Sequence, residues 1–265
     1  MEASAIRLDV AAAADAVALH ARPSADYAQR EQRARALLRQ AHAEFGDALV
    51  QASSLGVEDM VLTDLLVSEG LPVPVAMLDT GMLHVQTLAL LERAQRHYAR
   101  PFEVWRPDAD AVAAFVAREG DTPMYRSVEL RHACCALRKL EPLARMLHGR
   151  QAWIVGLRHE QSAQRGALQA RAPDADGRTK FSPLLDWTLG DVWHYVALNA
   201  VPYNPLHDQH YPSIGCAPCT RAVAVGEDQR AGRWWWENDG AKECGLHVAP
   251  AAVSPRSNAS TGDHA

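Results

Sequence analysis

The side chains best suited to chemistry in this chain are its cysteines. Only five occur in 265 residues, and four of them fall in two clusters. Cys134 and Cys135 lie in Arg131-His-Ala-Cys-Cys-Ala-Leu-Arg-Lys139, and Cys216 and Cys219 in Gly215-Cys-Ala-Pro-Cys219. The fifth, Cys244, stands apart in Lys242-Glu-Cys-Gly-Leu-His247. Four soft ligands and one separate thiol suggest a metal centre beside a reactive cysteine. Four thiolates suit either tetrahedral zinc or an iron–sulfur cluster. A structural zinc ribbon pairs two C-x2-C knuckles, whereas here one half is two adjacent cysteines whose side chains diverge. A single small ion would accept both only with strain. An iron–sulfur cube, with separated corners, takes them more easily. The plain alternative is four buried cysteines packing as small hydrophobes, which would need the same coincidence at two distant sites.

A second set of polar residues follows short apolar runs. Ala48-Leu-Val-Gln-Ala52 reads as a buried strand leading into Ser53-Ser-Leu-Gly-Val-Glu-Asp59, after which helical periodicity resumes from Met60. A strand, a glycine-bearing polar turn and a helix together form an anion site. The first N–H groups of the helix lack internal partners, and its dipole favours negative charge there. Ser53 and Ser54 add hydroxyls, and Gly56 lets the main chain approach a phosphate. Taken alone the turn is weak, because Ser and Asp are also ordinary helix caps.

These residues must be positioned by repeated units. Pro74–Leu78 predicts a strand with exit turn Asp79-Thr-Gly-Met82 and a helix over His84–Tyr98. Phe102–Trp105 predicts a third strand, followed by a helix to about Arg118. Ala152–Val155 predicts a fourth, with exit loop Gly156-Leu-Arg-His-Glu-Gln-Ser162. Strands alternating with helices predict an α/β fold, a parallel sheet with flanking helices. Ligands in such sheets bind beyond the carboxyl ends of the strands, where both polar turns and Arg158 fall. The stretch 128–147 reads as a helix that Pro142 should kink or split. Lys139 shares a helix face with Cys135. Tyr27–Phe45 is helical with Ala34, Leu37, Leu38, Ala41 and Phe45 on one face. Thr188-Leu-Gly-Asp191 predicts a capping box opening another helix. Residues 166–179 read as a surface loop. Residues 1–25 read as a loosely attached helix or partly disordered, and 250–265 as disordered. Three consecutive tryptophans, 234–236, cannot all face one core, so some should wall a pocket or interface. The expected organisation is one nucleotide-binding unit over 26–236 and a mobile C-terminal segment over 237–265 that carries Cys244.

Composition sets the outer limits. A charged fraction of 22% and a net charge of −5 argue against a general nucleic-acid surface. No apolar run approaches the roughly 20 residues that span a bilayer, and the N-terminus makes a poor signal peptide. The chain is therefore expected in the cytoplasm with reduced thiols and without a membrane partner. A homo-oligomer is compatible with the sequence, which does not fix the oligomeric state.

Together these stretches resemble the assimilatory sulfonucleotide reductases, specifically the cluster-containing adenylylsulfate (APS) reductases. The matching motifs are Ser-Ser-Leu-Gly-Val-Glu-Asp (53–59), Leu-Asp-Thr-Gly (78–81), Cys-Cys-Ala-Leu-Arg-Lys (134–139), Gly-Leu-Arg-His-Glu-Gln-Ser (156–162), Ile-Gly-Cys-Ala-Pro-Cys-Thr-Arg (214–221), Gly-Arg-Trp-Trp-Trp-Glu (232–237) and Lys-Glu-Cys-Gly-Leu-His (242–247). The resemblance implies an adenine-nucleotide alpha-hydrolase-like fold. It implies that Ser53, Ser54 and Gly56 line the phosphosulfate pocket, and that Leu78, Gly156 and Arg158 help hold the adenosine. Lys139, Arg230, Arg233 and His247 would gather at the sulfate end. Cys134, Cys135, Cys216 and Cys219 would ligate a [4Fe-4S] cluster, which does not shuttle electrons during turnover, and Cys244 would be the nucleophile. Leu55 departs from the pattern, since relatives often carry an aromatic residue or Ser there.

On this reading a Cys244 thiolate attacks the sulfate sulfur and expels AMP. Lys139, Arg158, Arg230 and Arg233 screen the repulsion between two anions. With the other four cysteines engaged, the second thiol must come from outside, which points to thioredoxin or a similar dithiol protein. Alternatives are reduction of the 3'-phosphorylated substrate PAPS, alone or beside APS, an ATP pyrophosphatase of related fold, and a zinc or redox-sensing module that binds a partner.

Overall fold

The structure, a computed structural model, describes residues 15–161, 168–224 and 226–237. Helix α1 (Ala16–His20) is followed by α2 (Tyr27–Phe45), which buries Ala34, Leu38 and Ala41 along one stripe, as its 3.6-residue period requires. Strand β1 (Leu49–Ser53) then enters α3 (Val57–Ser68), buried on nearly every side. Two further units are β2 (Val75–Leu78) with α4 (Val85–His97), and β3 (Glu103–Trp105) with α5 (Ala109–Glu119). A bent helical stretch made of α6 (Val128–Cys135), a π-turn (Ala136–Leu140) and α7 (Glu141–Met146) leads to β4 (Ala152–Ile154). Strands β5 (Arg171–Pro173) and β6 (Thr179–Phe181) and helix α8 (Leu189–Asn199) follow. The sheet order is β3-β2-β1-β4-β6-β5, parallel throughout except for β5.

The α/β expectation holds, and the order explains where a ligand can enter. The chain leaves β1 toward β2 and β3 on one side, then returns to place β4 on the other edge of β1, with Leu49 opposite Ala152. Connections diverge beyond the carboxyl ends of β1 and β4, and a crevice opens at such a switch point. The predicted capping box is present, with Thr188 accepting from the Asp191 N–H and Asp191 accepting from the Thr188 N–H.

Two expectations need correction. The stretch read as a surface loop over 166–179 contributes β5 and the first residue of β6. These strands are short, and β5 exposes Arg171 and Pro173, so no apolar alternation announces them; β5 is the antiparallel edge of the sheet. The described part of the N-terminal stretch is also firmly held. Ala16 is buried and donates its N–H to Asp208 (2.9 Å), and Ser24 donates N–H and hydroxyl to Asp191 (2.7 and 2.8 Å). Gly190 packs so tightly that a Cβ there would meet the Arg22 carbonyl at 2.0 Å. Asp191 thus caps α8 and anchors the lead-in with one carboxylate.

Candidate active site

The turn after β1 is shaped by side chains as much as by glycine. Leu55 sits in the left-handed region at φ 58° with its side chain buried, a strained conformation for a branched residue that surrounding packing must hold. Its N–H donates to Ser53 Oγ (3.1 Å). Gly56 is the N-cap of α3 and brings no side-chain cap, so the amino end of the helix keeps its capacity for an anion. Asp59 does not cap that helix from outside. From the first turn it accepts from the Ser54 N–H and hydroxyl (both 2.7 Å) and from the Gly156 N–H (3.0 Å), tying the exit of β1 to the exit of β4. Burial pushes its pKa up to about 6, against the Ser54 hydrogen bonds that act to lower it. Gly156 has no room for a side chain, because a Cβ would lie 2.5 Å from Asp59 Oδ1.

Neighbouring Glu58 meets the Arg158 guanidinium at 2.9 Å and accepts from Gln161 at 3.0 Å. Burial alone would raise the Glu58 pKa, but Arg158 holds it below the usual carboxylate range. Arg158 is buried and also pairs with Glu160 at 3.0 Å. Its charge is spent on two carboxylates, which makes it a wall of the cleft more than a source of positive field. Lys139, Arg230 and Arg233 bring further positive charge to the same cleft.

All nine of the predicted substrate residues that are described line one cleft of about 250 Å³: Ser53, Ser54, Gly56, Leu78, Lys139, Gly156, Arg158, Arg230 and Arg233. Two other predicted site residues, Cys244 and His247, lie outside the described residues. Arg233 reaches the cleft because Gly215 leaves space; a Cβ there would meet its Nη2 at 2.4 Å. Glu58, Asp59 and His207 also line the cleft and were not among the predicted site residues. Glu58 and Asp59 sat inside a recognised turn, where an Asp reads as an ordinary helix cap. His207 lies in the irregular 201–215 stretch, with no periodicity to flag it.

Beside the cleft, Cys134, Cys135, Cys216 and Cys219 ring a small cavity with Met82, Met124, Arg131, Arg138 and Lys139. Lys139 and Cys216 line both spaces. The split that Pro142 predicted appears as the π-turn: proline lacks an N–H, and the Glu141 N–H reaches back five residues to the Ala136 carbonyl. The Asp79-Thr-Gly turn holds the other cysteine pair. Thr80 Oγ1 lies 3.2 Å from Cys216 Sγ, the Ala217 N–H donates to the Met82 carbonyl (2.7 Å), and Arg138 donates to the Thr80 carbonyl (2.8 Å). Burial pushes the Cys219 thiol up to about 11 and raises Cys134, with Arg138 and Lys139 acting to lower the latter. Metal binding would reverse that preference, since only the thiolate ligates. No group of three or more His, Cys, Asp or Glu among the described residues is gathered tightly enough for a single ion. Four sulfurs spread round one cavity, with cations adjacent, are a donor set that fits a multinuclear centre.

The tryptophan run divides as its density required. Trp234 is buried and lines the cleft, and the guanidinium groups of Arg131 (4.6 Å) and Arg233 (4.7 Å) both lie over its ring. Trp235 is partly exposed and meets Trp236 edge-on at 4.7 Å. Arg131, on the cysteine-bearing helix, grips Glu237 through two contacts of 2.6 and 2.9 Å, both side chains buried.

With this geometry in hand, the comparisons with known proteins agree. The family model described as the phosphoadenosine phosphosulfate reductase domain matches residues 48–222. An adenosine 5'-phosphosulfate reductase of Allochromatium vinosum is 55% identical over 202 residues, covering 76% of this chain and 79% of that protein. One from Burkholderia cepacia is 47% identical over 238 residues, covering 89% of this chain and 94% of that protein. Among solved structures, a phosphoadenylyl-sulfate reductase of Candida auris in complex with phosphate superposes with TM-score 0.62 at 26% identity, covering 76% of this chain and 98% of that one. A Candida glabrata FMN adenylyltransferase with ATP, at 14% identity and TM-score 0.55, covers 83% of this chain and 75% of that one and shares the fold alone. The chain belongs to the phosphoadenosine phosphosulfate reductase family of oxidoreductases, and within it to the group of the adenosine 5'-phosphosulfate reductases.

Proposed function

We propose that the chain reduces adenylylsulfate to sulfite and AMP in assimilatory sulfate reduction, with thioredoxin or a similar dithiol protein as reductant in the cytoplasm. The observation that carries this reading is one cleft joining the amino end of α3 to Lys139, Arg230 and Arg233, and sharing Lys139 and Cys216 with the cysteine-lined cavity. The helix end and the Ser53–Gly56 turn hold the phosphate. Leu78, Gly156 and the neutralised Arg158 form the adenosine side. Lys139, Arg230, Arg233 and His247 hold the sulfate and screen it from the approaching thiolate.

Cys244 attacks the sulfate sulfur; an S–S bond forms, the S–O bond to phosphate breaks, and AMP leaves with the electron pair. A thiolate of the external dithiol then attacks Cys244 Sγ, and sulfite leaves with the S–S electron pair. The donor's second thiol closes its own disulfide and frees Cys244, so two electrons pass from the dithiol to sulfur. Cys134, Cys135, Cys216 and Cys219 would hold a [4Fe-4S] cluster. A cluster bound there would cross-link two distant stretches of chain at the cavity that shares Lys139 and Cys216 with the cleft.

Sulfite release from adenylylsulfate with thioredoxin tests the proposal, with Cys244→Ser as control. Wild type should turn over, and the variant should lose at least about 10³-fold in rate while retaining the visible absorption of an iron–sulfur protein. Full activity in the variant would overturn the assignment of the nucleophile. A preference for the 3'-phosphorylated substrate would overturn that of the substrate.

A further inference from the structure

Among the described residues, Tyr125 and Trp235 are the only Phe, Tyr or Trp side chains that stay exposed, at 45% and 40%. They come from distant stretches of sequence yet share one surface, with ring centroids 6.2 Å apart. Trp236 meets both edge-on, at 4.5 Å from Tyr125 and 4.7 Å from Trp235. The group is held from beneath. Tyr125 closes the short turn Pro123–Tyr125 and donates its hydroxyl to the carbonyl of Pro218 (2.5 Å), which lies between Cys216 and Cys219 in sequence. Trp236 packs against the buried cluster that contains Cys134, Cys135, Cys216 and Cys219. Next to Tyr125 in the chain, Arg126 shares Glu119 with Arg118 (2.7 and 2.9 Å), a margin of paired charges. A fixed aromatic centre with a polar margin is the anatomy of a protein interface, and aromatic residues are frequent anchors there.

The position of the group says what binds it. Trp234 lines the cleft, Trp235 reaches the surface, and Glu237 is pinned in the interior by Arg131. Cys244 follows Glu237 by seven residues, and seven residues reach at most about 25 Å when fully extended. A protein that delivers a thiolate to Cys244 Sγ must therefore rest on the surface within that radius, where the aromatic group lies. Resting on the reading that Cys244 is the nucleophile and that an external dithiol protein regenerates it, we propose that Tyr125, Trp235 and Trp236 form the surface on which that dithiol protein docks. Encounters between redox proteins use small interfaces. A few large side chains already fixed in place carry such a contact at little entropic cost. Attack on a sulfur–sulfur bond depends on access, and a docking point only a few residues before Cys244 in the chain brings the donor to it.

Comparing two reductants on the full-length protein tests the surface. Turnover of adenylylsulfate is followed with reduced thioredoxin and, separately, with dithiothreitol, which is too small to need a docking site. Formation of the Cys244 adduct from adenylylsulfate alone is timed by mass spectrometry. Trp235→Ser should lower kcat/KM for thioredoxin about 10-fold, the scale of losing one interface anchor. It should leave dithiothreitol turnover and adduct formation within about 2-fold of wild type, and Trp235→Phe should recover most of the loss. Tyr125→Ser should show the same split, and it decides if Trp235→Ser does not fold. An unchanged kcat/KM for thioredoxin would overturn the proposal. So would an equal loss with both reductants or slower adduct formation, either of which would give the group to the chain's own residues. Unchanged thioredoxin kinetics with a smaller particle in sedimentation would give it to a second copy of the chain and overturn the proposal too. A wild type that forms no Cys244 adduct would instead overturn the reading beneath the proposal, and the proposal with it.

Discussion

Two backbone N–H groups, of Ser54 and Gly156, and the Ser54 hydroxyl all converge on Asp59. A carboxylate in that position fixes the separation between the exits of β1 and β4, and hence the width of the cleft. It does so at an electrostatic cost, since burial raises its pKa to about 6 from an ordinary 3.8. The folded state thus binds a proton that the unfolded chain has already released. The resulting stabilisation is fully present below about pH 3.8 and is lost as pH rises through about 6. In Asp59→Asn that dependence should vanish. The gap in melting temperature should shift in favour of wild type on going from about pH 7.5 to about pH 5, measured by calorimetry in matched buffers; a constant gap would contradict the assignment. At this scale the sequence displays residue types but not their partners. Asp59 and Arg158 were both visible in motifs, yet nothing in their spacing says that one spans two strand ends and the other is neutralised by Glu58 and Glu160.

Arg131, Trp234, Arg233 and Glu237 make a stack that links the cysteine-bearing helix to the substrate cleft. Removing one partner of a buried ion pair leaves the other charge uncompensated. Glu237→Ala should therefore cost about 3–5 kcal/mol in urea unfolding, and the double change Arg131→Met with Glu237→Leu should cost clearly less. Equal losses would mean that the pair acts through shape alone. Elements with strong periodicity were legible: α2, the capping box of α8 and strands β1 to β4 follow directly from apolar spacing. The edge strand β5 and its neighbour β6 were not, because β5 exposes two of its three side chains and β6 buries only Phe181 of its three, which leaves no period to read. Helix α1 was missed as a fixed element for a related reason. Its hold depends on Asp191 and Asp208, more than 160 residues away.

For the molecule as a whole, the sheet order places the cleft, and the two cysteine pairs are brought together from segments some 80 residues apart. If a cluster joins them, it closes a loop of that length, and binding to the folded state alone stabilises it by linkage. Protein reconstituted with iron and sulfide should melt at least about 5 °C above the metal-free form in differential scanning calorimetry. Coincident transitions would argue that the thiols hold nothing. Overall topology was the most legible level, since alternating strands and helices admit few arrangements. The hydrogen bonds joining Thr80 and Met82 to the Cys216 segment, and Arg138 to Thr80, were invisible, because each links stretches distant in sequence that no local pattern pairs.

The π-turn over 136–140 sets a phase. Each residue of an ordinary helix advances about 100° around the axis, so the extra residue accommodated here offsets everything downstream against Cys134 and Cys135. Shortening this stretch by a single residue would restore regular winding and swing Lys139 off the wall it shares between cleft and cavity. The count of residues between Cys135 and Pro142 is thereby as tightly constrained as their identities, and length variation in this family should be found in the connecting loops instead.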